Sequence, residues 1–144
     1  MLDSLFTIVI PTDNRHDCLD RSIKYFSDSS IKIIYCDSTQ IKYKGKIPKN
    51  ITYYNNPKLK FSEKILFCLN KVKTPLVALS ADDDFLEIDS LIKGSEFLNN
   101  NLDYVSVTGE FLFFLKPFDN LFYKNKKKSY ESIVSKYPFE RASL

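Results

Sequence analysis

Three consecutive aspartates, Asp82-Asp83-Asp84, follow the apolar run Leu76-Val77-Ala78-Leu79. Carboxylates packed this closely repel one another unless a cation, a basic group or water offsets the charge. Hard divalent ions such as Mg²⁺ and Mn²⁺ prefer such oxygens and bridge readily from them to substrate phosphates. A strand ending in acids also places them at the carboxyl edge of a sheet, where open α/β folds bind ligands. The chemistry implied is metal-assisted handling of a phosphorylated substrate. The plainer alternative is a solvated acidic loop that caps a helix beginning near Glu87.

Two further strand ends carry polar clusters. The β-branched run Phe6 to Ile10 stops at Pro11-Thr12-Asp13-Asn14-Arg15, and the run Ile31 to Cys36 stops at Asp37-Ser38-Thr39. Proline cannot donate to a sheet ladder and marks the exit of the first strand. Arg15 has two readings, as a phosphate contact or as a group that satisfies a helix end. An Asx turn through Ser38 and Thr39 is the local alternative to a ligand-binding role for Asp37.

The elements between these clusters follow from periodicity. Strands are expected near 5–10, 31–36, 51–54, 76–80 and 103–108. Leu19, Ile23 and Phe26 recur at helical spacing over residues 15–28, with Asp13 or Asn14 available as a cap. A second helix is expected after Lys60, bearing Phe61, Ile65, Leu66, Cys68, Leu69 and Val72, and a third over Ile88 to Asn100. Gln40 to Asn50 and the run Lys124 to Lys128 read as loops. Gly109 marks a turn or bulge before Phe111-Leu112-Phe113-Phe114, and Tyr130 to Tyr137 has the pattern of a short helix. Strands alternating with helices predict an α/β fold with a mainly parallel sheet.

Composition narrows the class. In 144 residues, 44% are hydrophobic and 27% charged, a globular balance with enough chain for a real core. The net charge of +3, 21 basic against 18 acidic residues, is too small to imply nucleic acid or an anionic membrane as partner. Cys18, Cys36 and Cys68 are isolated and His16 is the lone histidine, so no zinc site is expected. Cys36 and Cys68 read as small apolar filling. The start shows no signal-peptide pattern, and an odd cysteine count without a leader points to reduced thiols in the cytosol. No apolar run approaches the ~20 residues of a membrane helix, so contact with a membrane is at most peripheral. The 3 glycines form no P-loop and no GxGxxG turn.

The order of strand ends, Pro-Thr-x-Asn-Arg, then Asp-Ser-Thr, then Ala-Asp-Asp-Asp-Phe, resembles the inverting GT-A glycosyltransferases of the family 2 type. The nearest pattern is a bacterial subgroup associated with surface polysaccharides, and the likeness covers about residues 5 to 110. It implies a Rossmann-like donor-binding domain over residues 1–114, with 115–144 beginning an acceptor-side region or C-terminal extension. Because similar enzymes continue well beyond this length, it implies the N-terminal donor-binding part alone. The implied donor is a nucleotide sugar, most simply a UDP-sugar; the implied cofactor is Mn²⁺ or Mg²⁺. A glycan or lipid-linked acceptor and a cytoplasmic site at the inner face of the membrane complete the expectation.

By that resemblance Pro11 and Thr12 lie under base and ribose, Asn14 and Arg15 belong to the same loop, and Asp37 accepts from the uracil ring. Asp82 and Asp83 face ribose or pyrophosphate, and Asp84 holds the metal, with Asp83 the alternative ligand. Lys64 matches a basic position near base or phosphates, although helical position alone reads it as solvent-facing. One departure is Asp13, where similar enzymes carry an aromatic residue that can stack on the base. The general base remains unassigned: Glu110, Asp119, Glu131 and Glu140 are the late acids, and none lies in a matching motif. Two other classes compete. One is a non-catalytic nucleotide-binding or scaffold remnant; the other is a Mg²⁺-dependent phosphate-handling α/β enzyme, with Asp13 as the only acid near the end of its first strand.

Overall fold

The structure is a computed structural model that describes residues 5–115 and 123–128, with 111–115 and 123–128 described by backbone alone. The expected helix over Tyr130 to Tyr137 lies outside these residues. The chain forms two compact units, Met1–Ser95 and Glu96–Leu144.

The first unit is built on a four-stranded, all-parallel sheet. Its strands are β1 (Phe6–Thr12), β2 (Lys32–Asp37), β3 (Ile51–Asn55) and β4 (Leu76–Leu79), in spatial order β3-β2-β1-β4. Helix α1 (His16–Phe26) joins β1 to β2, and α2 (Phe61–Leu69) joins β3 to β4. A third helix, α3 (Ile88–Asn100), follows β4 and runs across the boundary between the units. This is the α/β, Rossmann-like architecture expected. The chain winds outward from β1 through β2 to β3, then returns to lay β4 on the other side of β1. That reversal makes the β1/β4 junction the topological switch point.

Side-chain alternation along β1 divides the core. Phe6, Ile8 and Ile10 face one side with Ile33, Tyr35 and Ile51, packed against Leu19, Ile23 and Phe26 of α1 and against Leu91 and Ile92 of α3. Val9, Ile34 and Cys36 face the other side and meet Cys68 of α2. Burial on both faces explains why β1 and β2 read as unbroken apolar runs instead of alternating ones. All three cysteines are free thiols, and Cys36 and Cys68 are buried as apolar filling.

Three local expectations are corrected. Residues 103–108 form no strand: Tyr104 to Glu110 is irregular, and Val105 is 97% exposed. Among the described residues its β-branched residues have no neighbouring strand to pair with, and β propensity without a partner does not make a strand. The second unit instead carries β5 (Phe111–Leu115) and β6 (Tyr123–Lys128), paired antiparallel with an irregularity between Leu112 and Phe114. The lysine run read as a loop is therefore strand. Neither Asp13 nor Asn14 caps α1; Arg15 is its N-cap residue, with no side-chain cap.

Among the described residues, no helix is long and apolar enough to cross a membrane.

Candidate functional site

The three polar strand ends meet at Thr12. In the parallel register Thr12 pairs with Asp37 on β2, while Val9 pairs with Leu79 on β4, just before the aspartates. The Thr12 hydroxyl donates to Asp82 Oδ2 at 2.5 Å. Its carbonyl accepts from the Ser38 amide at 3.1 Å and from Lys64 Nζ at 2.7 Å. Asp37 and Asp82 therefore lie on one edge of the sheet, on either side of β1.

Lys64 is the largest surprise of position. It is 4% exposed, and its ammonium also donates to Ser38 Oγ at 2.8 Å. The reading of a solvent-facing helical lysine is overturned. A helix crossing the sheet edge turns its fourth residue inward, onto carbonyl and hydroxyl oxygens left over where β1 and β2 end.

The aspartate triplet divides by environment. Asp82 is 3% exposed, and Arg15 Nη1 pairs with its Oδ1 at 3.0 Å. Arg15 Nη2 reaches Asp83 Oδ2 at 2.6 Å, so one guanidinium bridges two acids. The Arg15 hydrogen bond holds the Asp83 carboxyl below the ordinary carboxylate range, and the same bond raises the Arg15 pKa. Asp84 is exposed, and among the described residues its carboxylate has no hydrogen-bond or ion-pair partner. The triplet does not cap α3. That task falls to Glu87, whose carboxylate accepts from the amides of Asp89 at 3.1 Å and Ser90 at 2.6 Å.

Arg15 reaches the aspartates because of the turn before it. Asn14 has φ 53°, in the left-handed region, where asparagine is tolerated better than most side chains. Its amide donates to Thr39 Oγ1 at 2.7 Å, tying the β1 exit to the β2 exit.

Asp37 is fully buried, and the Asx-type turn is what its carboxylate makes. Oδ1 accepts from the Thr39 amide at 2.8 Å and the Thr39 hydroxyl at 2.5 Å. Oδ2 accepts from the Tyr53 hydroxyl at 2.6 Å and contacts His16 Nε2 at 3.3 Å. Burial pushes its pKa up, but the donors from Thr39, Tyr53 and His16 outweigh burial and hold it below the ordinary value. Tyr43 packs on the rings of His16 and Tyr53 and closes the cluster over.

A cleft of about 430 Å³ opens at the switch point. Pro11, Asp13 and Arg15 line it from the β1 exit, Phe61 and Lys64 from α2, and Asp82 and Asp84 from the β4 exit. Asp37 and Asp83 are not among its walls. A larger hollow, about 670 Å³, lies between α1 and the 40–50 loop and holds none of the strand-end carboxylates. Phe61, which the sequence places only as a residue of the second helix, is 67% exposed on the cleft. Its place as the first residue of α2, where the helix meets the strand ends, was the available signal.

Among the described residues, no three His, Cys, Asp or Glu side chains converge as a metal-holding group. The donor set suits a different arrangement, with an ion held by one or two carboxylates and completed by substrate phosphates. Asp84, unpaired on the cleft, fits that role, and Asp82 stands beside it. Of the late acids, Glu110 is described and lies in the irregular segment before β5; Asp119, Glu131 and Glu140 fall outside the described residues.

Comparison with protein-family models found no match to this chain, and comparison with curated proteins found none.

Proposed function

We propose that this chain carries the donor-binding domain of an inverting GT-A glycosyltransferase of the family 2 type, taking a nucleotide sugar together with Mn²⁺ or Mg²⁺. The observation that carries the reading is the cleft at the β1/β4 switch point, with the unpaired Asp84 and the buried Asp82 on its wall. Open α/β sheets bind ligands at that place. Arg15 and Lys64 bring positive charge to the same cleft, which suits a diphosphate. A cell-surface glycan as product and a cytoplasmic location belong to the same proposal.

Transfer from a nucleotide sugar needs the diphosphate to leave. A bound divalent ion would stabilise the charge that develops on it. The chain's own residues supply the rest: Asp84 would anchor the ion, and Thr12 and Arg15 fix the carboxylate of Asp82. In doing so, Arg15 offsets repulsion within the triplet until phosphate arrives. Lys64 clamps the β1 and β2 exits so that the cleft floor keeps its shape.

Calorimetry with UDP, in the presence and absence of Mn²⁺, tests the proposal. Affinity should depend on the ion, and Asp84→Ala should weaken that dependence by about 2 kcal/mol or more, the scale of a charged contact. Equal affinity with and without Mn²⁺ overturns the metal role. A second reading, a phosphate-handling enzyme of another α/β family, draws on Asp13 lining the same cleft. Mg²⁺-dependent release of phosphate from small phosphoesters, lost in Asp13→Asn, would favour it.

A further inference from the structure

The cleft is two-sided. Phe61 and Ile65, one helical turn apart on α2, form an apolar strip, and Pro11 and Leu79 add apolar surface from the strand exits. The charged groups described above occupy the remaining wall. With a divalent ion on Asp84, as the donor reading has it, a ligand filling such a space has a flat apolar part joined to a polyanionic part.

Two independent observations place the flat part. Phe61 leaves 67% of its surface open, and among the described residues it has no aromatic partner and joins neither core cluster. Asp37, which the sequence offers as a base contact, is 0% exposed and spends both oxygens on Thr39, Tyr53 and His16. A carboxylate has about four lone-pair sites, and these contacts use them. A heterocycle could reach it only by dismantling that cluster, whereas the Phe61 face is ready.

We propose that Phe61 is the stacking platform for the planar ring of the ligand and sets the preference of this cleft for a nucleotide over a bare diphosphate. The inference rests on the donor-binding reading above. It also accounts for Asp13: with an aromatic surface supplied from α2, the β1 exit need not provide one.

The test is calorimetry on the 144-residue chain with Mn²⁺, using UDP as the ringed probe and pyrophosphate as the ringless one. Phe61→Ala should weaken UDP binding roughly 5- to 100-fold, the scale of base–aromatic stacking, and leave pyrophosphate binding unchanged. Phe61→Tyr should restore UDP affinity to within about threefold of the parent, since it keeps the ring face. Phe61 is exposed, so its replacement should leave the thermal midpoint close to that of the parent. Equal UDP affinity for the parent and Phe61→Ala overturns the stacking role and leaves the donor reading standing. Equal loss of UDP and pyrophosphate affinity overturns it too, because the residue would then shape the cleft rather than hold a ring. If the parent binds none of UDP, ADP and GDP with Mn²⁺, the donor reading and this inference fall together.

Discussion

Lys64 shows how a single residue can join fold and site. Its ammonium holds the Thr12 carbonyl and the Ser38 hydroxyl, one from each side of the β1/β2 junction. Lys64→Met keeps most of the apolar stem but leaves two buried acceptors without their donor. Stability should fall by about 1–3 kcal/mol, the cost of unsatisfied buried polar groups. Urea unfolding measures this. A change within about 0.5 kcal/mol is what a solvated surface lysine would give, and it would contradict the clamp. Asp84 should behave in the opposite way. Because its carboxylate has no partner among the described residues, Asp84→Ala should leave stability nearly unchanged while weakening metal-linked binding. The pair separates residues that build the cleft from residues that face its ligand.

At the scale of elements, two helix starts depend on single residues. Asn14 at φ 53° aims Arg15 at the aspartates. Asn14→Gly should be nearly neutral in stability, and Asn14→Val should cost about 1–2 kcal/mol, since a β-branched side chain resists the left-handed region. Thermal melts of the two variants decide it, and equal melts would show that the turn relaxes freely. Glu87 caps α3, so Glu87→Ala should lower the thermal midpoint, with Glu87→Gln keeping part of the loss. The sequence made the start of the first unit legible because β1 and β2 are buried on both faces, and such strands appear as apolar runs between turn residues. Ile88–Asn100 carries its own helical period and was legible to its ends. Residues 103–108 misled because Val105 and Val107 favour strand only when a neighbour pairs with them. At the site, the meeting of three strand ends was legible from their order alone. The burial of Lys64 and the closure of Asp37 were not, because both depend on which way α2 and the 40–50 loop cross the sheet edge.

At the scale of the whole molecule, three carboxylates among the described residues have depressed pKa values: Glu87 through its cap on α3 and, at the site, Asp37 and Asp83. Asp37 is held down by donors that overcome its burial, and Asp83 by Arg15. A carboxylate whose pKa is lower folded than unfolded stabilises the fold above its unfolded value, about 4, and loses that contribution as pH falls through the folded value. Stability should therefore be level near neutrality and decline below about pH 4. The two residues differ in what salt does. Asp83 and Arg15 are each 45% exposed, so solvent screens their pair and its contribution is small. Asp37 is buried, and its contribution should survive about 0.5 M salt, where the Debye length is only a few ångströms. Asp37→Asn removes the charge and unbalances the Thr39, Tyr53 and His16 contacts, costing about 2 kcal/mol or more at neutral pH. The gap between parent and variant should then narrow as pH drops, because protonation removes the same charge from the parent. Urea unfolding from pH 7 to pH 2, at low and high salt, measures both curves. Parallel curves across that range would show that the Asp37 cluster carries no charge-dependent stability, and that the acid limit arises elsewhere in the chain.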